Sequence, residues 1–323
     1  MTKFFFCTAS ALAFAVTAAT AAEVKIGYAL AEDSHYGAAA RAFEETLKSE
    51  LGDTFTVRHF PSSGLGGERE VIEGLQLGTV EAMIASSGTL SNFVPEVGVF
   101  DIPFLFRDLD HARQVLDGPI GQDMLAKFDN VGTHGLAWGE QGFRHITNNR
   151  NPISTPEDMA GLKIRTMENP IHIRAFEALG AAPTPMAWPE VIPALEQGAI
   201  DGQENPLSVI VSANLGEVQK YLTLDGHVYS SAIVLVSQRL WNDLDDTQKA
   251  AFEKAGDAAA AAMRAYVDQV EVEGVETLQA RGMEVNTLTP EQKQVFQDRL
   301  ADTYATYQGQ FGQDLMDSIL AAQ

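Results

Sequence analysis

The chain has 323 residues, with 44 acidic residues against 22 basic ones and a formal net charge of −22. So acidic a chain lacks the basic surface that neutralises phosphates, which excludes nucleic acid and the anionic face of a membrane as partners. The length predicts about two domains, and a hydrophobic content of 45% excludes a disordered acidic chain. The charge alone also argues against an anionic ligand, an inference that the arginines described below oppose.

Residues 1–22 have the pattern of a secretory signal peptide. One basic residue, Lys3, precedes an apolar run from Phe4 to Val16 and a small-residue end. The run is too short for a spanning helix, and a buried first helix is the alternative interpretation. Cys7, the only cysteine, lies in this segment, so the processed chain would carry no disulfide. We expect an exported protein that is free in the periplasm.

Strand and helix patterns alternate along most of the remaining chain, which favours parallel α/β lobes. In the first part the predicted elements are a strand at 24–28, a helix from His35 to about Leu51 capped by Ser34, a strand at 55–57, a helix at 68–77 and a strand at 80–85. In the second part they are a capping box at 155–158, a strand at 162–165, a helix at 169–179, a helix from Trp188 to Gly198, and strands at 199–201 and 232–236.

The stretch from Asp245 to about Arg281 lacks proline and has an alanine-rich middle. It predicts a helix on the order of 55 Å long, which would run along both lobes. Two helices broken near Gly274 are the alternative. A last helix is predicted from Thr289 to about Tyr307. Since no low-complexity linker separates the lobes, we expect crossing strands to join them.

No pattern in the chain indicates catalysis, a metal site or a cofactor site. The seven histidines never fall in a metal-binding spacing, and neither a nucleophile elbow nor a P-loop is present. Gly64 and Gly66 begin a dinucleotide fingerprint, but Arg69 replaces its last glycine. We therefore expect no enzyme activity and no cofactor. The alternatives are a secreted α/β enzyme acting on hydroxy acids and an adhesion module without an interior pocket.

Three polar residues, Arg144, Arg165 and Asn205, lie at or near the ends of predicted strands, where α/β folds bind their ligands. A guanidinium matches a carboxylate with two parallel hydrogen bonds. An asparagine amide adds one donor and one acceptor. A surface salt bridge is the alternative interpretation of each arginine.

Longer patterns surround these residues. They are GGERE at 66–70, DIPFLF at 101–106, GFRHITN at 142–148, TPEDMAGLKIR at 155–165, PMAWPEV at 185–191 and DGQENP at 201–206. In this order, and over nearly all of the mature chain, they resemble the DctP-type solute-binding proteins of tripartite ATP-independent periplasmic (TRAP) transporters.

The resemblance implies a two-lobed α/β periplasmic binding protein that closes on its ligand like a hinged clamp. Crossing strands and a long spanning helix would join the lobes. We expect lobe one to contain 23–142 and 231–270, and lobe two to contain 143–230 and 271–323.

The resemblance also implies a ligand site. Arg165 corresponds to the arginine that binds the ligand carboxylate, and Arg144 and Asn205 to the positions that assist it. The other residues carried over are Trp188 as a ring against the ligand, Glu168 and Asn169 in the stretch that lines the pocket, and Ser86 and Ser87 beside the rest of the ligand. The alternatives are helix-start packing for Trp188 and an ordinary turn for the two serines.

The function implied is that of a receptor without catalysis, which delivers an organic acid to TRAP membrane subunits as a monomer. One arginine fork with several hydroxyl and amide groups favours a hydroxylated monocarboxylate such as a uronate or an aldonate. A C4-dicarboxylate would need a second cation far from Arg165. A C4-dicarboxylate, a keto acid or an aromatic acid stacked on Trp188 is the alternative ligand.

Overall fold

The computed structural model describes residues 21–322, so the signal peptide predicted at 1–22 lies almost wholly outside the described residues. The strands are β1 (Ala22–Tyr28), β2 (Phe55–Phe60), β3 (Ala82–Ser86), β4 (Thr133–Asn148), β5 (Lys163–Thr166), β6 (Ala182–Pro185), β7 (Gly202–Pro206), β8 (Tyr221–Ser237) and β9 (Glu284–Thr287). The helices are α1 (His35–Leu51), α2 (Glu68–Leu77), α3 (Ser87–Leu90), α4 (Leu109–Asp117), α5 (Pro119–Leu125), α6 (Pro170–Ala178), α7 (Trp188–Glu196), α8 (Leu207–Ser212), α9 (Gln238–Asp243), α10 (Asp246–Ala280), α11 (Pro290–Arg299), α12 (Ala301–Phe311) and α13 (Gln313–Ala321).

The strands of the described chain form one mixed sheet in the order β2-β1-β3-β8-β4-β7-β5-β6, and β9 pairs with β8. In lobe one, β1 runs parallel to β2 and β3. In lobe two, β5 runs parallel to β6 and β7. The long antiparallel strands β4 and β8 lie between these parallel groups and pair with both. The two-lobed α/β fold with crossing strands is therefore confirmed.

The long helix α10 is a single helix of 35 residues, and Gly274 lies inside it without a break. Its first half packs in the core of lobe one, where the ring of Phe252 lies edge-on to Phe43 of α1 and to Phe55 of β2, and Met263 belongs to the same apolar cluster. Farther along, Leu278 packs in a core cluster of lobe two. The helix thus spans both lobes, as predicted.

The lobe boundaries predicted at 142 and 230 fall opposite each other, because Gly142 of β4 pairs with Ser230 of β8. The division itself stays a prediction. The C-terminus differs from it, since α13 packs on lobe one: the carbonyl oxygen of Ile319 lies 2.8 Å from Nε2 of His111 on α4. Met316 and Ile319 complete the apolar cluster there, a long-range contact that no local pattern indicates.

Three predicted elements differ clearly in extent from the observed ones. The strand predicted at 232–236 is only the last part of β8, which begins at Tyr221. The strand predicted at 199–201 lies instead at Gly202–Pro206. This strand, β7, is buried along its length although it consists of glycine, proline and polar residues, so its composition does not indicate a strand. The last predicted helix, from Thr289 to about Tyr307, is divided at Leu300 into α11 and α12, and α13 beyond Gly312 was not predicted.

Arg144 was expected at or near the end of a predicted strand but lies inside the long strand β4, whose bounds were not predicted. The bulges of β4 interrupt the alternation that identifies a strand.

Candidate ligand-binding site

A cavity lies between the lobes, beyond the carboxyl ends of β1, β3, β5 and β7. The space between its walls, counted to its open mouth, is about 630 Å³, which is within the range of small-molecule sites. Its lining consists of Ala29, Leu30, Tyr36, Glu68, Arg69, Glu70, Ser86, Thr89, Gln141, Arg144, Arg165, Met167, Glu168, Met186, Ala187, Trp188, Asn205 and Val209. Six of the eight predicted site residues are therefore brought together here.

Arg165 lies at the end of β5 and is 3% exposed. Its Nε and Nη2 donate to the carbonyl oxygen of Met186 at 3.1 and 2.8 Å, which fixes the plane of the guanidinium. The ring of Trp188 lies 5.9 Å from its Cζ. Burial lowers the pKa of Arg165 to about 10, so the group remains cationic at neutral pH. Within residues 21–322, Nη1 has no hydrogen-bond partner, so this part of the fork is open to an anion.

Arg144, on β4, is bound mainly to its neighbours in the protein. It forms a bidentate ion pair with Glu204, whose Oε2 accepts from Nε and whose Oε1 accepts from Nη2 at 3.0 Å. Nη2 also donates to Oδ1 of Asn205 at 3.2 Å, and Nη1 donates to Oγ of Ser230 at 3.1 Å. The positive charge of Arg144 is thus matched within the protein, in contrast to that of Arg165.

A buried histidine supports this pair from behind. His227 lies between Asp225, at 2.8 Å from Nδ1, and Glu204, at 3.2 Å from Nε2. Burial opposes its charge, but the two carboxylates raise the pKa of His227 to about 9. Burial likewise opposes ionisation of Glu204, yet Arg144 and His227 hold the pKa of its carboxyl well below the usual value. His227 and Glu204 are therefore both ionised at neutral pH.

The other predicted lining residues differ in what they can offer a ligand. Asn205 already uses both ends of its amide, since Nδ2 donates to Gln203 while Oδ1 accepts from Arg144. Ser86 accepts from the backbone N–H of Gly88 at 3.3 Å. Glu168 lies at the mouth, 3.7 Å from Nε of Arg69 on the other lobe. This ion pair crosses the entrance to the cavity.

Two predicted residues, Ser87 and Asn169, lie beside the cavity and outside its lining. Asn169 caps α6 through its Oδ1 and donates from Nδ2 to Asp101 at 2.8 Å. The hydroxyl of Ser87 also points to Asp101, at 3.5 Å. Burial raises the pKa of Asp101 to about 7. Both side chains are thus directed to a buried carboxyl that the sequence pattern does not reveal, and their role beside a ligand stays a prediction.

Sequence reasoning missed several lining residues, notably Tyr36, Glu68, Thr89 and Gln141. Glu68 could have been predicted as a lining residue, because it lies in the GGERE pattern, one of those on which the resemblance rests. Nothing in the sequence marks Tyr36 as a lining residue, because an aromatic residue near the start of a helix is usually predicted to lie in the core. Gln141 lies at a bulge of β4 whose position depends on pairing with β8.

No helix within residues 21–322 has the length and apolar character needed to cross a membrane. Among the same residues, no group of three or more His, Cys, Asp or Glu side chains is arranged to hold a metal ion. Two α/β lobes around a cavity with an open guanidinium define a solute-binding protein for a small anion.

Comparison with known proteins agrees with this class. The family model DctP, "bacterial extracellular solute-binding protein, family 7", matches residues 26–310, and the chain belongs to this family. Its members are transport proteins that bind small organic acids and work with components of membrane transporters.

A TRAP periplasmic solute-binding protein from a Bordetella species, with density assigned to pantoate, is 56% identical, with a TM-score of 0.91 over 94% of this chain and 99% of that one. A second one, from Polaromonas sp. JS666 and bound to D-erythronate, is 46% identical, with the same TM-score of 0.91 and coverages of 94% and 99%. The C4-dicarboxylate-binding periplasmic protein DctP of Rhodobacter capsulatus is 30% identical over 97% of this chain and 96% of its own length.

Proposed function

We propose that the chain is the receptor of a TRAP transporter for a short hydroxylated monocarboxylate of the sugar-acid class. The observation that carries the proposal is the buried guanidinium of Arg165, which faces the cavity with a free Nη1. A carboxylate that leaves water needs such a partner, because an unpaired buried charge is costly.

The charges of the lining favour one carboxylate over two. Of the three lining arginines, Arg144 is paired with Glu204 and Arg69 with Glu168, which leaves Arg165 without a carboxylate partner. Pantoate and D-erythronate, found in the relatives at 56% and 46% identity, are both monocarboxylates with hydroxyl groups. The C4-dicarboxylates remain the competing ligand class, since a more distant relative carries that name.

A thermal-shift screen of residues 23–323 tests the ligand class. The panel contains sugar acids of four to six carbons, pantoate, C4-dicarboxylates, keto acids and aromatic acids. We expect the largest rise in melting temperature with a sugar acid or pantoate, because ligand binding stabilises the folded state in proportion to the logarithm of saturation. A panel in which only dicarboxylates stabilise the protein would contradict the proposal.

The role of Arg165 is tested by Arg165→Lys. A lysine keeps the charge but loses the planar fork, so the affinity for the acid found in the screen should fall by about 10- to 100-fold in titration calorimetry. Arg174→Lys, the same change on the exposed face of α6, is the matched control and should leave the affinity unchanged. Equal affinities for wild type and Arg165→Lys would show that Arg165 does not bind the carboxylate.

We further propose that the protein is exported after cleavage near residue 22, acts as a monomer and catalyses no reaction. Mass spectrometry of the periplasmic protein should give a mature N-terminus at residue 22 or 23, and light scattering should give the mass of one chain. Chemical conversion of a bound acid by the purified protein would contradict the receptor role.

A further inference from the structure

Tyr36, at the start of α1, brings an unpaired hydroxyl to the cavity. The residue is 1% exposed, and its Oη has no hydrogen-bond partner within residues 21–322. The charges that act on this hydroxyl are those of Glu68 and Arg144, which also line the cavity. Burial raises the pKa of Tyr36 well above its usual value, so the hydroxyl keeps its proton. A buried hydroxyl without a partner is destabilising, and a ligand oxygen would supply that partner.

Glu68, the first residue of α2, brings hydrogen-bond acceptors to the same cavity. Its Oε1 accepts from the backbone N–H of Ser86 at 2.8 Å, and its Oε2 accepts from the hydroxyl of Thr89 at 2.6 Å. Since a carboxylate oxygen can accept two hydrogen bonds, each oxygen keeps one free lone pair. Burial raises the pKa of Glu68, while the bonds from Thr89 and Ser86 and the charges of Arg165 and Arg144 act in the opposite direction.

Resting on the function proposed above, we propose that Tyr36 and Glu68 form a hydroxyl-recognition wall. Glu68 accepts a hydrogen bond from one hydroxyl of the ligand, and Tyr36 donates one to another ligand oxygen. Arg165 holds the ligand carboxylate.

This wall determines which organic acids bind. A hydroxylated chain can donate to Glu68, whereas the second carboxylate of a dicarboxylate has no proton to donate and meets a like charge. An alkyl chain without hydroxyls leaves the Tyr36 hydroxyl without a partner and gives the free lone pairs of Glu68 no donor. A site rejects an analogue that lacks the matching group because its own buried polar groups then lack a partner.

Titration calorimetry with four probes tests the wall. The probes are D-erythronate, D-galactonate, butanoate and succinate. For wild type we expect one of the two sugar acids to bind at least about 100-fold more tightly than butanoate and succinate. Tyr36→Phe should weaken binding of the sugar acid by about tenfold and leave binding of butanoate unchanged, because the only oxygens of butanoate are those of the carboxylate that Arg165 holds. Glu68→Gln should weaken the sugar acid and reduce its preference over succinate by about tenfold or more.

Two matched variants separate recognition from folding. Tyr28→Phe removes a hydroxyl that is also buried and unpaired but lies outside the lining. Glu73→Gln removes a charge from the exposed face of the same helix α2. Both should bind the four probes like wild type.

The outcomes distinguish the wall from the proposed function. If wild type binds neither sugar acid, the proposed function fails and the wall with it. A second outcome is that wild type binds a sugar acid, but Tyr36→Phe weakens binding of butanoate as much as binding of the sugar acid, and Glu68→Gln leaves the preference for the sugar acid over succinate unchanged. The two residues are then structural. In that case the wall is wrong and the receptor role stands. A melting temperature for each variant shows that the comparison is made on folded protein.

Discussion

At the scale of single residues, the site contains one arginine with free hydrogen-bond donors and another whose charge is matched by buried partners. Arg165 keeps free donors, whereas Arg144, Glu204 and His227 form a buried cluster whose charges match one another. Breaking such a cluster is costly, because removing one partner leaves a buried charge without compensation. We interpret the cluster as a rigid support that holds Arg144 and Asn205 in the cavity lining. Arg165 is then the group available for a ligand.

The cluster predicts a pH dependence of stability that can be traced to His227. Its pKa is about 9 in the folded protein and about 6.5 in an unfolded chain. A raised folded pKa stabilises the protein fully below the unfolded value, and this contribution is lost as the pH rises through 9. The loss should amount to about 3 kcal/mol between pH 6 and pH 10.

Urea unfolding of wild type and His227→Gln at several pH values measures this contribution. The difference between their free energies of unfolding should be largest near pH 6 and shrink by about 3 kcal/mol by pH 10. His134→Gln, at a histidine hydrogen-bonded to the partly exposed Asp129, serves as the control substitution. A difference that is constant with pH would show that His227 is not protonated between the two carboxylates.

The residue scale also shows what the sequence can reveal of a site. The positions of Arg165 and Asn205 near strand ends could be predicted, because a strand end is marked by local sequence. The pairing of Arg144 could not, because this residue lies inside β4 and reaches Glu204 only through the register of β4 against β7. The two residues after β5 also differ in a way that the sequence does not reveal: Glu168 lies at the cavity mouth, whereas Asn169 caps α6.

At the scale of elements, α10 depends on close packing against the crossing strand β4. A Cβ atom added to Gly256 would lie 2.6 Å from Cβ of Leu136 and 3.4 Å from its carbonyl carbon. Neither the helix nor the strand can move aside without disturbing the core of lobe one. This glycine allows the helix to approach the sheet.

Gly256→Ala should therefore lower the free energy of unfolding by about 1 to 3 kcal/mol. Gly309 is the matched control, because it also lies inside a helix, α12, and no other atom lies within 4 Å of its added Cβ. Gly309→Ala should raise stability by about 0.5 to 1 kcal/mol, the ordinary effect of removing a helical glycine. If chemical denaturation gave the two substitutions the same sign, the close approach at Gly256 would not limit the packing.

Elements with local signals were predicted well from the sequence. Ser34 caps α1 through a hydrogen bond to Gly37, and Gly78 ends α2 in the left-handed conformation, as their residue types predict. The strands β4 and β7 depend on neighbours distant in the chain. Their buried polar and glycine residues are stable only because of pairing that no local window contains.

At the scale of the whole molecule, the net charge of −22 opposes the approach of an anionic ligand. Arg165 attracts the ligand mainly within the cavity. The surface carboxylates repel the ligand in solution over a distance set by the screening length of the salt. That distance is about 30 Å at 0.01 M salt and about 8 Å at 0.15 M. The long-range field should therefore slow association most strongly at low salt, and the bound state should depend little on salt.

Stopped-flow measurement of association with the sugar acid found in the screen tests this expectation. The association rate constant should rise on the order of two- to tenfold as salt increases from about 0.01 to 0.15 M, since screening removes the repulsion. The dissociation rate constant should change little, because Arg165 is 3% exposed and buried pairs are screened weakly. Sodium and choline salts at equal ionic strength control for binding of a particular ion. An association rate that falls with salt would mean that the arginines at the cavity, and not the acidic surface, determine the field met by the ligand.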